Sequence, residues 1–170
     1  MEAIAPRSLH SKGKSVLAAG AFAGAVAGAA ATGTVSKPDA WYRRLEKPPF
    51  NPPPWVFGPV WTALYTMMAV SAYRVWRAPK SRDRDSALRL WAGQLVLNAA
   101  WSPLFFGRRR PRAALADLAG MHGLISAYTA RAARVDRPAA WLMAPYLAWV
   151  SFAGVLNAEI VRRNPRLAAR

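Results

Sequence analysis

Five stretches of about twenty residues each carry almost no charge, and a helix of that length spans the roughly 30 Å hydrocarbon layer of a bilayer. They cover residues 15–35, 55–73, 90–107, 113–130 and 139–161, with most of the Lys and Arg residues lying between them. A soluble helical bundle would instead show a polar face over about half of each helix. The first run has no charged residue at all, and the last has only Glu159, near its end. The pattern therefore predicts an all-α protein, a bundle of five transmembrane helices.

The charge balance fits this reading. Lys and Arg number 24 against 8 Asp and Glu, a net +16, and the hydrophobic fraction is 54%. Mean hydropathy is nevertheless only +0.04, because apolar and basic residues are segregated rather than absent. A basic excess is the usual footprint of nucleic-acid binding. Here the cations are spread over every connection and both tails, which suits contact with anionic lipid headgroups and implies no nucleic-acid partner. The positive-inside rule does not orient the chain, since alternate connections and tails divide the cations evenly. The chain has no cysteine, which excludes disulfides and thiolate chemistry.

The expected organisation is a basic N-terminal tail over 1–14, a five-helix domain over 15–164 and a C-terminal tail over 165–170. The helices are placed at about 15–35, 53–77, 84–107, 111–133 and 138–162. The basic start and small-residue apolar centre of the first run also fit a signal peptide. Its length and the further apolar runs behind it favour a retained helix. Gly20, Gly24 and Gly28 recur every four residues on one face of that helix. Such a stripe reads either as a close-packing or dimer seam or as alanine-rich filler.

The connection between the first two helices is unusual. "KPPFNPPPWVFGPVWTALY", residues 47–65, holds six of the chain's fourteen prolines and five aromatics. Proline fixes φ near −65° and lacks a donor, so "KPPFNPPP" is expected to be extended and stiff. Placed over the bundle it forms either a rigid lid carrying Trp41, Tyr42 and Phe50, or a plain spacer.

Three helices present mixed aromatic and amide faces at steps of three and four. The second carries Trp61 and Tyr65; the third carries Gln94, Asn98, Trp101 and Phe105; the fifth carries Trp149, Phe152, Ala153 and Asn157. Amides at membrane depth are costly unless they face protein or a wet cavity, so Gln94, Asn98 and Asn157 should point inward. Together the faces could enclose a flat, mostly apolar ligand with a few polar edges. Taken singly, each amide reads equally as glue between helices, and Trp41 and Trp55 as interfacial anchors. Conventional catalytic signals are poor. His122 stands five residues from Asp117, about 140° around a helix. Asp117 reads as neutralising the nearby Arg108–Arg110 turn, Glu159 as pairing with Arg162 or Arg163. No metal site, cofactor or acid–base pair is expected.

The segments "WYRRLEKPPFNPP", "VFGPVWTALY", "GQLVLNAAWSPLFF" and "PYLAWVSFAGVLNAEIVRRN" resemble, in order and spacing, the TspO/MBR family of tryptophan-rich sensory and translocator proteins, the peripheral benzodiazepine receptor family. The resemblance implies a five-helix membrane protein, commonly a homodimer, binding porphyrins, sterols and benzodiazepine-type drugs under the first connection. It implies a multi-pass location in the bacterial inner (plasma) membrane, with that connection and the C-terminus cytoplasmic. By residue, it assigns Trp61 and Trp149 to porphyrin contact and to the light-dependent porphyrin breakdown of some members. It gives Asn98, Trp101 and Ala153 pocket positions, and Trp41, Pro48 and Pro53 the loop motif. One departure concerns sterols: animal members carry a tyrosine just after the fifth helix's "LN", where this chain has Ala158 and Glu159.

Three functions follow as expectations. The first is a receptor that senses, transports or buffers tetrapyrroles, with Arg43, Arg44 and Lys47 near propionates and with Tyr65 and Asn157 among the ligand-binding residues. The second is a light-dependent porphyrin-degrading enzyme using Trp61 and Trp149. The third is a scaffold bundle whose glycine stripe matters and which takes no ligand.

Overall fold

The computed structural model of the chain describes residues 7–35 and 39–166, with side chains for 13–33 and 39–166. Five long helical segments build the bundle. They are α1 (Arg7–Val35), α3 (Pro54–Arg77), α4 (Arg82–Ser102), α5 (Pro111–Val135) and the broken pair α6 (Arg137–Trp141) and α7 (Ala144–Arg163). A short α2 (Ala40–Arg44) lies in the first connection. α4 and α5 form the most extensive pairing, α7 lies along α5, and α1 covers α3 and α4. Glycines allow the α4–α5 seam to close: a Cβ on Gly120 would stand 3.3 Å from Leu97 Cδ1.

Proline accounts for most departures from the expected boundaries. The third helix, expected over 84–107, runs as α-helix only to Ser102 and continues as a π-helical turn, Pro103–Gly107. Pro103 has no N–H to return to the preceding turn, and the chain widens so that the Arg108 N–H reaches the Pro103 carbonyl at 2.8 Å. The fifth helix, expected over 138–162, is likewise interrupted. Pro145 sits four residues beyond Trp141, where its ring would collide with that carbonyl in a continuous helix. The chain therefore turns at Leu142–Met143 and restarts. Ser81 caps α4, accepting from the Arg84 N–H at 3.1 Å, and Asp136 caps α6, accepting from the Ala139 N–H at 3.0 Å.

One expectation near the N-terminus is corrected. Residues 7–14, expected as a tail, continue α1; the run 7–35 has no proline and is rich in alanine, so nothing in it breaks the helix. Residues 1–6 lie outside the described set. Gly20, Gly24 and Gly28 are exposed and face away from the bundle, while Val26 and Ala29 turn inward and Phe22 meets Trp91 edge-on at 5.3 Å. Among the described residues the stripe packs on nothing.

The exterior is apolar and the interior partly polar. Val16, Leu17, Val70, Val96 and Val155 are exposed, whereas Ser71, Gln94, Asn98 and Asn157 are buried. That inversion suits lipid as the surrounding medium, where polar groups must be satisfied inside. Segments Gly13–Gly33 and Arg137–Arg163 are each long and apolar enough to cross a membrane. Trp55, at the end of the bundle carrying the first connection, and Trp141, at the opposite end, are each 75% exposed, as interfacial tryptophans are.

At the end away from the first connection, Ser71 joins three segments. Its hydroxyl donates to the Ala139 carbonyl at 2.7 Å, which leaves Tyr128 to donate to Ser71 Oγ at 2.6 Å. Replacing Ser71 by alanine strands both partners at a fully buried point. The expected result is a loss of about 1–2 kcal/mol, seen as a lowered thermal midpoint in detergent micelles. Tyr128→Phe, which leaves the Ser71–Ala139 bond intact, should cost less.

Candidate functional site

α3 and α7 approach each other only sparingly, and large rings fill the space between them. Trp61 on α3 stacks on Tyr65 one turn further along (centroids 5.1 Å, 28° between planes). It also meets Trp149 of α7 edge-on at 6.5 Å and Tyr146 at 6.3 Å. Phe57 and Phe152 extend the cluster from Trp149 at 5.9 and 5.5 Å, and Phe50 in the connection touches Phe152 at 6.4 Å. Trp61, Tyr65 and Trp149 are half-buried and, like Ala153 of α7, pack against the main core. The indole and phenol faces are thus gathered at one place without being sealed into the core.

A polar line runs inward from this cluster. The Tyr65 hydroxyl donates to Asn98 Oδ1 at 2.9 Å, and Asn98 Nδ2 donates to Tyr146 Oη at 2.9 Å. The Tyr146 hydroxyl in turn has Gln94 Oε1 at 3.1 Å and Met121 Sδ at 3.2 Å as acceptors. Gln94 is fully buried and its Nε2 has no partner. Asn98 and Gln94, one turn apart on α4, thus connect α3 to α7.

The connection covers the same end. Trp41 of α2 is buried against Phe105 at 5.8 Å, and Phe105 stacks on Trp101 at 5.1 Å. Tyr42 meets Phe106 at 5.2 Å, with Lys47 Nζ over the Tyr42 ring at 4.5 Å. Asn164, just beyond α7, grips the chain at Glu46: its Oδ1 accepts from the Glu46 N–H and its Nδ2 donates to the Glu46 carbonyl, both at 2.9 Å. Asp39 caps α2 through the Tyr42 N–H at 3.1 Å and pairs with Arg109 at 2.8 Å. Chiefly the Tyr42 N–H, and then Arg109, hold the Asp39 carboxyl below its ordinary range. Arg109 occupies the left-handed region, φ 54°, in the turn after Pro103–Gly107.

The structure brings Trp61, Tyr65, Asn98 and Trp149 together, with Ala153 one turn beyond Trp149 on α7, and Trp101 reaches the connection through Phe105. Trp41 and Pro48 are buried residues of the connection itself, whereas Pro53 is exposed and serves as the N-cap of α3. Asn157 stands apart. With its amide turned to match its neighbours, it donates to the Pro111 carbonyl and accepts from the Leu115 N–H, both at 3.2 Å, tying α7 to the start of α5. Glu159 pairs with Arg162 and Arg163 at 2.6 and 2.7 Å. Asp117 forms no ion pair among the described residues, and its Oδ2 is buried without a hydrogen-bond partner. Tyr146 and Asn164 were not singled out from the sequence. Tyr146, three residues before Trp149, carries a hydroxyl at membrane depth that could have marked it; Asn164 gave no signal short of the fold.

A model of the TspO/MBR family matches residues 15–163. The translocator protein of Bos taurus is 43% identical over 126 residues, covering 73% of this chain and 75% of that protein. The tryptophan-rich sensory protein of Cereibacter sphaeroides is 41% identical over 143 residues, covering 84% and 89%. The tryptophan-rich protein TspO of Chlorobaculum tepidum is 42% identical over 134 residues, covering 76% and 83%.

Two outcomes test how the connection is held. Asn164→Ala should accelerate hydrogen exchange at the Glu46 amide while leaving Tyr128 and Met68, at the other end, protected. Because the Asp39 pKa is lowered, its anchorage is complete above about pH 4, the ordinary aspartate range. It is lost as pH falls through the lowered value. Acidification should therefore release the Tyr42 amide to exchange, and Asp39→Asn should weaken that acid dependence.

Proposed function

Because the chain belongs to the TspO/MBR family, we propose that it is a multi-pass membrane receptor that binds flat tetrapyrroles, porphyrins above all, in the aromatic cluster between α3 and α7. The observation that carries this reading is the pairing of Trp61 and Trp149 across two sparingly touching helices, with Tyr65 stacked beside them and a buried amide behind. Indole faces suit an extended π-system, and an edge-on pair presents two differently oriented walls. Trp101, Ala153 and Asn98 complete the ligand-binding set. Trp41 and Pro48 hold the connection over it, Pro53 starts α3, and Asn157 braces α7. Arg43, Arg44 and Lys47 lie on the covering connection, where cations can meet propionates. Sterols and benzodiazepine-type drugs are further candidate ligands, and the protein is proposed to act as a homodimer in the bacterial inner membrane. No cofactor is needed for binding.

A second reading, light-dependent breakdown of the bound porphyrin, is favoured by the same indole pair, which would lie against a photoexcited ligand. Trp149→Phe separates the two: binding should largely survive while turnover stops.

The decisive measurement is tryptophan fluorescence during titration with protoporphyrin IX in the dark, beside the double variant Trp61→Ala/Trp149→Ala. Saturable quenching at micromolar or lower concentration, weakened at least tenfold in the variant, is expected. Linear quenching equal in both proteins would reduce the interaction to partition into detergent and leave the scaffold reading.

A further inference from the structure

The polar line behind the aromatic cluster has a direction, and that direction can be reversed. As it stands, every hydrogen points away from the cluster: Tyr65 donates to Asn98, Asn98 to Tyr146, and Tyr146 to Gln94. The line ends on Gln94 Nε2, a donor with no acceptor on a fully buried side chain. Each member is either a hydroxyl, which both donates and accepts, or a primary amide, whose oxygen and nitrogen exchange places when it turns over. Turning Asn98 and Gln94 together leaves every heavy-atom distance nearly unchanged. Gln94 then donates to Tyr146, Tyr146 to Asn98, and Asn98 to Tyr65. The orphan becomes the Gln94 carbonyl oxygen, which is tolerated no worse than an orphan N–H.

Reversal changes what Tyr65 offers, because Tyr65 is the end of the line that stacks on Trp61. In the present direction its proton is committed to Asn98 and its oxygen is free to accept. In the other, its oxygen accepts from Asn98 and its proton is free to donate. We propose that Tyr65, Asn98, Tyr146 and Gln94 form a hydrogen-bond relay of reversible polarity. It lets the pocket take flat aromatic ligands that present either an N–H donor or a carbonyl acceptor at Tyr65. The inference rests on the reading of the aromatic cluster as a ligand pocket and extends it to the class of polar edge the pocket accepts. The relay is a specificity device: Gln94 acts only through the line, and Asn98 sets which group Tyr65 presents to the ligand.

Three tricyclic probes of matched shape test it on the full chain in detergent: fluorene with no polar edge, carbazole with an N–H donor only, and 9-fluorenone with a carbonyl acceptor only. Calorimetric titration is expected to give saturable binding of all three, with carbazole and fluorenone each about 2- to 10-fold tighter than fluorene, the gain of one net hydrogen bond. Tyr65→Phe should bring the three to equal affinity. Nuclear Overhauser contacts from the Asn98 side-chain amide protons, in protein labelled at Asn nitrogen, read the direction itself. With carbazole bound they should reach the Tyr146 ring, and with fluorenone bound the Tyr65 ring. Contacts to the same ring in both complexes, or a gain for only one of the two polar probes, would overturn the relay while saturable fluorene binding left the pocket standing. Absence of saturable binding for all three would overturn both.

Discussion

A hydroxyl or amide carried into the interior of a lipid-facing bundle has no water to turn to, and the fold is organised around meeting that requirement. Each buried polar side chain on the long helices is spent on a neighbouring segment. Ser71 ties α3 to α5 and α6, Asn98 ties α4 to α3 and α7, and Trp91 Nε1 donates to the Met68 carbonyl at 3.1 Å, joining α4 to α3. Asn157 does the same between α7 and α5. In lipid the hydrophobic effect does not press helices together, so packing and these bonds select which helix lies against which. Among the described residues, Gln94 Nε2, Trp101 Nε1 and Asp117 Oδ2, on α4 and α5, are the buried helix-borne groups left unpaired. They fall on the two helices most closely packed together, around the polar line that leads to the aromatic cluster.

Proline then decides where the regular geometry gives way. Pro103 and Pro145 each interrupt a span, and both interruptions bear on the site. The π-helical turn places Phe105 and Phe106 against Trp41 and Tyr42, and the restart at α7 follows directly with Tyr146 and Trp149. A π-turn costs regular hydrogen bonding, and such turns recur where a helix must aim side chains at a particular place.

The number of long helices, the inward position of the amides and the gathering of Trp61, Tyr65, Asn98 and Trp149 were legible from spacing alone, because 3.6-residue periodicity fixes which side chains share a face. The proline interruptions were less legible. Both proline positions were visible, but whether a proline bends a helix, starts one or opens a π-turn depends on what packs around it. Asn157 was read correctly as inward-facing, yet periodicity could not tell which neighbour it would meet. Tyr146 and Asn164 escaped notice for a related reason: their partners lie 48 and 118 residues away in the chain, and no local pattern encodes such a meeting.

The Asn164 grip has a mechanical consequence. By pairing with both backbone groups of Glu46, it makes the end of α7 and the covering connection one piece, reinforced by the Arg163–Glu46 ion pair at 3.2 Å. Residues beyond Asn164 therefore emerge beside the roof of the aromatic cluster rather than at a distance from it. A pull, a docked neighbour or a bulky fusion at that end therefore bears first on the connection, as a handle bears on a hatch.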